Sequence, residues 1–271
     1  IFKETIDINT LDYVKYQKIQ QHIIDALDRA EYVEVLGNGT NRTNLRIDLA
    51  ELSDPASQTR FENCVADVNI PLGEVFTSPR LSGTEGLLHV GSVYISGIQF
   101  KDLTMEFKEG RVTFVSCGNF LEELLPLAGE QEKKEAAEAG RRLVVQEIMN
   151  QHETLPMGEF AIGTNTTAYA MAERFGITDR LPILIVEKMG PHFAVGDTCY
   201  SWSEDSPMYN PDGKEMTARD NEISILRKEN VSRAYFGVHK DITIPYKELG
   251  SITVVGHLDA VLFGQLGEDD L

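Results

Sequence analysis

Basic side chains are scarce in this chain of 271 residues: 25 Lys and Arg stand against 43 Asp and Glu, a formal net charge of −18. Such an acidic balance, with a pI near 4.7, argues against nucleic acid or an anionic membrane as the main partner, because phosphate binding needs clustered Lys and Arg. Cysteine is also sparse. Cys64, Cys117 and Cys199 stand singly, which gives no disulfide framework and no CxxC metal knot. A reducing, cytoplasmic setting is therefore expected, with the three thiols as buried packing groups. No apolar run approaches the ~18 residues that cross a bilayer, and no charged–apolar–small signal segment opens the chain. HExxH is missing, which excludes the common single-zinc protease helix. Gly37-Asn-Gly39 has neither the third glycine nor the following helix of a dinucleotide site.

What remains is ordinary globular material, 42% apolar and 25% charged, long enough for one large domain or two small ones. Leu11, Val14, Ile19, Ile23, Ile24 and Leu27 recur at helical spacing and predict a helix over 9–30. Tyr32–Leu36 and Leu45–Leu49 flank a Gly-Asn-Gly turn and read as a hairpin, and Val90–Val115 reads as an antiparallel meander. The Glu, Lys and Ala of 122–150 predict a helix with a solvated charged face, and 167–175 a second one. Ile183–Val186 reads as a buried strand, 203–230 as a long polar excursion, and Ile252–Val255 and Ala260–Phe263 as closing strands. This mixture predicts an α+β fold, a mixed and largely antiparallel sheet with flanking helices.

Four segments place a metal-capable side chain beside small or turn residues: Pro71-Leu-Gly-Glu-Val-Phe-Thr-Ser-Pro79, Gly158-Glu-Phe-Ala-Ile-Gly163, His192-Phe-Ala-Val-Gly196 leading to Tyr200, and Gly237-Val-His-Lys-Asp241. Each alone is weak. His239 and Asp241 are more informative, since positions two apart on a strand share a face. Together these glutamates, histidines and an aspartate make an N/O set suited to Zn²⁺, Co²⁺ or Mn²⁺. Carboxylates that bridge two cations offset their combined charge in two-metal hydrolases.

In order and wording these segments resemble the aminopeptidase T/aminopeptidase S family of metallopeptidases, the thermophilic metalloprotease family, from about residue 38 onward. The resemblance implies two divalent metal ions held by Glu74, Glu159, His192, His239 and Asp241, with Glu159 or Asp241 as the bridge. It implies Glu159 and Tyr200 as catalytic residues, the tyrosine donating to a developing oxyanion. Peptides are the implied substrates, cut at the first residue, and a homodimer is implied by analogy. The chain is expected to be a single catalytic domain over 1–271, with the family's N-terminal domain absent or truncated. His192 and Tyr200 are eight positions apart, one more than the family pattern. Glu187 stands as a carboxylate that orients an imidazole or as a surface charge. The rival readings are a reduced, non-catalytic homologue acting as a binding or assembly module, and a metal-dependent hydrolase of another amide.

Overall fold

The computed structural model describes residues 2–65, 70–121, 129–178, 180–200, 206–256 and 260–263. The chain opens with helices α1 (Phe2–Asn9) and α2 (Tyr13–Leu27). Strands β1 (Tyr32–Gly37), β2 (Asn44–Asp48), β3 (Gln58–Thr59), β4 (Glu62–Cys64), β5 (Glu74–Thr77), β6 (Arg80–Ile95), β7 (Ile98–Lys108) and β8 (Arg111–Ser116) follow. Helix α3 (Glu130–Glu147), β9 (Met157–Gly163), α4 (Thr166–Phe175), the single turn α5 (Ile183–Val186) and β10 (Pro191–Gly196) come next. The last elements are β11 (Glu215–Met216), β12 (His239–Thr243), β13 (Leu249–Val255) and β14 (Ala260–Phe263).

The helix predicted over 9–30 is present as α2, and a further helix that the sequence reading does not predict, α1, precedes it. Asp12 divides them: its carboxylate accepts from the Val14 and Lys15 amides and caps α2. Of the predicted apolar stripe, Ile24 and Leu27 are fully buried, while Val14 and Ile19 are exposed. Helix α3 begins at Gly129, whose amide donates to Glu132 Oε2 at 2.7 Å; the start of the predicted helix, 122–128, lies outside the described residues. The charged run faces solvent and Ala136, Gly140 and Val144 face inward. Asn165 caps α4 by accepting from the Ala168 amide, and Gly176 ends it in the left-handed region.

Two sheets carry the fold. One has seven strands in the order β14-β13-β1-β2-β6-β7-β8, and the other five in the order β12-β10-β9-β5-β4. Their pairings are all antiparallel; among the described residues only the short β11–β3 pair is parallel. The α+β class, the hairpin and the meander read from the sequence are therefore present. One apolar cluster draws Val33, Leu45, Leu88, Val90 and Leu103 from the first sheet and Val75, Phe160, Phe193 and Ile242 from the second. With one face of the five-stranded sheet buried in that core, the opposite face is available for chemistry. Ile183–Val186, predicted as a buried strand, is instead one helical turn with no buried residue, and Ile183 and Leu184 are exposed. A short apolar run does not distinguish strand from helix by period alone, and Pro182 precedes this one as its cap.

Candidate metal centre

Alternation along adjacent strands brings the predicted ligands together. Glu159 and Ala161 on β9, His192 and Ala194 on β10, and His239 and Asp241 on β12 occupy alternate positions and so share a sheet face. The register confirms the alignment: Glu159 pairs with Ala194, which pairs with Asp241, and Ala161 pairs with His192. Glu74 enters the same face from β5, opposite Gly163. The interleaved residues Phe160, Phe193 and Ile242 point into the shared core. Ala161 and Ala194 keep the space between the ligands open. At the end of β10, Gly196 has φ +112, and a Cβ there would collide with the Val238 carbonyl oxygen. This glycine lets β12 approach closely enough to deliver His239.

All five predicted ligands converge. His192 Nε2 lies 3.5 Å from Glu74 Oε2 and 3.6 Å from Glu159 Oε1. His239 Nε2 lies 3.1 Å from Glu159 Oε2 and 3.4 Å from Asp241 Oδ1. Donors arranged tetrahedrally around an ion with bonds of about 2.0–2.1 Å sit about 3.3 Å apart, so these spacings fit a divalent metal. Two buried carboxylate oxygens, Glu74 Oε2 and Asp241 Oδ1, have no hydrogen-bond partner. Unsatisfied buried acceptors are costly, and a cation beside each would remove that cost.

Several neighbours fix the ligands. His239 Nδ1 faces the Asp197 carbonyl at 2.7 Å, which as a donor leaves Nε2 with its lone pair toward Glu159 and Asp241. The Asp197 carboxylate accepts from the amides of Phe236 at 2.8 Å and Gly237 at 3.0 Å, anchoring the approach to β12. Lys188 is fully buried and donates to Glu74 Oε1 and, at 2.8 Å, to Glu187 Oε1. Neither Asp197 nor Lys188 stands out in the sequence; the roles of both come from backbone and charge contacts that only the fold creates. Glu187 thus serves a buried ammonium.

The electrostatics describe a site that holds protons where cations are expected. Burial pushes Glu74 up, and the nearby charges of Lys188 and His192 only partly oppose this, so its carboxyl sits above the ordinary range. Burial acts the same way on Glu159, but hydrogen bonds and charges from His192 and His239 outweigh it and hold Glu159 well below the usual carboxylate range. Burial disfavours the charged form of His192, yet the hydrogen bond and charge of Glu159, with Glu74 and Asp241, push it up to about 9. For His239 burial is likewise overcome, by Asp241, Cys199 and Glu159, and its value is strongly raised.

A cleft of about 510 Å³ opens over this face, lined among others by Glu62, Phe76, Ile183, Leu184, Met208 and Tyr200. Tyr200 is buried, stacks on Phe76 with ring centroids 5.8 Å apart, and donates its hydroxyl to Glu62. That acceptor is different from the oxyanion the resemblance implies for it. The residue before it, Cys199, is exposed in the cleft, whereas Cys64 and Cys117 are buried. The expectation that all three thiols are buried packing groups therefore fails at Cys199.

The profile of the family described as thermophilic metalloprotease (M29) matches residues 10–125, a span that includes Glu74 and stops before the other four candidate ligands. No curated protein sequence matches the chain. Among solved structures, wild-type AmpT from Thermus thermophilus is similar with a TM-score of 0.56 and 15% identity, over 93% of this chain and 53% of that one. The structure of 2,5-dihydroxypyridine dioxygenase from Pseudomonas putida KT2440 gives a TM-score of 0.48 and 14% identity, over 99% of this chain and 64% of that one. The chain thus spans about half to two thirds of the length of these structures. The family match, together with the fold shared with AmpT, establishes the chain's resemblance to the thermophilic metalloproteases, a metallopeptidase family.

Proposed function

We propose that the chain is a metal-dependent aminopeptidase with a dinuclear centre. His192 and Glu74 would hold one divalent ion, His239 and Asp241 the other, and Glu159 would bridge them. The observation that carries this reading is the placement of Glu159, whose two oxygens each face a different histidine, Oε1 toward His192 and Oε2 toward His239. Of the two candidate bridges, Glu159 lies between the two histidines, and Asp241 lies beside only one of them.

Divalent ions bound here would supply a Lewis acid for the scissile carbonyl and the acidity that makes a water nucleophile available near neutral pH. The chain's own residues do the rest. Lys188 keeps one oxygen of Glu74 engaged and leaves the other for the metal face. Glu62 and Glu187 line the cleft beside the proposed ligands, and their carboxylates would receive the α-ammonium of a peptide. Phe76, Ile183, Leu184 and Met208 offer an apolar wall for the first side chain. A carboxylate of the set carries the proton to the leaving amine. The hydroxyl of Tyr200, committed to Glu62, acts by holding that carboxylate at the ammonium end. A homodimer in a cytoplasmic setting completes the proposal.

The test is hydrolysis of a leucyl anilide by protein stripped with chelator and reloaded with Zn²⁺, Co²⁺ or Mn²⁺. Activity is expected only after reloading, and Glu159→Gln is expected to abolish it while leaving the fold intact. Unchanged turnover in Glu159→Gln would remove the mechanism.

A further inference from the structure

We infer that Cys199 is a ligand of the metal on the His239 side, which makes that half of the centre a mixed sulfur, nitrogen and oxygen site selective for Zn²⁺ or Co²⁺. This rests on the dinuclear reading above and sharpens it. A carboxylate oxygen of Glu159, the Cys199 sulfur and a ring nitrogen of His239 all lie within 4.8 Å of one another. With Nδ1 of His239 on the Asp197 carbonyl, Nε2 is the nitrogen left for a metal, and it also lies 3.4 Å from Asp241 Oδ1, an oxygen with no hydrogen-bond partner. Cys199 Sγ, His239 Nε2, Glu159 Oε2 and Asp241 Oδ1 are four donors, the number a tetrahedral zinc takes.

The cysteine is delivered by the same features that build the rest of the site. Gly158 precedes Glu159, and a Cβ at that position would collide with the Asp197 carbonyl oxygen. The turn that follows β10 therefore lies directly on β9 and carries Cys199 over Glu159. Tyr200, one residue later, is turned into an apolar cluster with Cys64, Phe76, Ala161, Met216 and Ala218. The two adjacent side chains thus have separate tasks, the thiol facing the ligand set and the ring packing the wall.

The other half of the centre, Glu74, Glu159 and His192, has only nitrogen and oxygen donors. Thiolate favours Zn²⁺ and disfavours Mn²⁺ and Mg²⁺, which prefer oxygen. The two halves therefore differ in metal preference. When the metal–sulfur bond forms, the thiol proton passes to solvent, so loading this half releases a thiol proton in addition to any released by its histidine.

The experiment is a Co²⁺ titration of metal-stripped protein under reducing conditions, followed by absorbance, for the wild-type chain, Cys199→Ser and Cys199→Ala. Iodoacetamide labelling of the wild type with and without Zn²⁺ is read in parallel. The expected result is a thiolate-to-cobalt charge-transfer band in the near ultraviolet for the wild type. Both variants are expected to lose it and to keep the visible ligand-field bands of the remaining bound cobalt. Zn²⁺ affinity measured by chelator competition should fall about 10- to 100-fold in Cys199→Ser, and Zn²⁺ should protect Cys199 from alkylation. Two bound cobalt ions with identical spectra in wild type and variants overturn the inference and leave the dinuclear proposal standing. Absence of Co²⁺ and Zn²⁺ binding by the wild type overturns both.

Discussion

The burial of Lys188 gives the site its most exacting single-residue requirement. Its ammonium sits between two carboxylates, Glu74 and Glu187, with no access to solvent. Removing one member of a buried ion pair leaves the other charge uncompensated, at a cost of about 3–5 kcal/mol. Lys188→Met is therefore expected to lower the stability of the metal-free protein by that amount in urea unfolding. Added Zn²⁺ should recover part of the loss, because a cation then faces Glu74. His192 gives a pH dependence. Its folded value, about 9, lies above the ordinary 6.5, so its contribution to metal-free stability is complete below about 6.5 and is lost as pH rises through about 9. Metal binding has the opposite sign, since the ligand must be neutral imidazole. Zn²⁺ affinity should rise with pH up to about 9, with proton release seen by calorimetry in buffers of different ionisation enthalpy. A flat affinity over that interval would show that His192 is not a ligand. Tyr200→Phe removes the bond to Glu62, and steady-state kinetics should show a larger rise in KM than fall in kcat.

At the scale of elements, the site consists of alternate positions on four strands of one sheet. This is why much of it is legible in the sequence. The spacing of His239 and Asp241 on β12, and of small residues after Glu159 and His192, marks one face of a strand in each case. What the sequence does not carry is strand order, and with it the pairing that sets Glu159 beside Ala194 and Asp241 beyond it. Cys199 and Asp197 sit in the turn after β10, where no periodicity exists to assign a direction to a side chain. Ile183–Val186 shows the same ambiguity in another form: four apolar residues fit a core strand, but here they form a helical turn at the edge of the cleft. The dependence on one turn is testable. Asp197→Ala frees the Phe236 and Gly237 amides, so a loss of about 1–3 kcal/mol in stability is expected. A drop of about 10- to 100-fold in Zn²⁺ affinity should accompany it. Isothermal titration of the folded variant separates the two effects.

For the whole molecule, one apolar cluster shared by two sheets presses on the back of the proposed metal face, so the proposed ligands are mounted on strands rather than on free loops. Rigid mounting holds donors near their binding geometry without the metal. It also brings buried carboxylates close to one another, where protons or cations must balance them. Metal that binds only the folded chain stabilises it by mass action, by about 4.1 kcal/mol at a free concentration 1,000 times the dissociation constant. Chelation should therefore lower the thermal midpoint, and reloading should restore it. No described helix is long and apolar enough to cross a membrane.

The central claim is that Glu159 joins two cations. Anomalous diffraction at the zinc edge from crystals soaked in Zn²⁺ tests it directly. Two peaks about 3.5–4 Å apart are predicted, one beside His192 and Glu74, the other beside His239 and Asp241, with one Glu159 oxygen on each. A single peak, or two that Glu159 does not touch, would contradict the account.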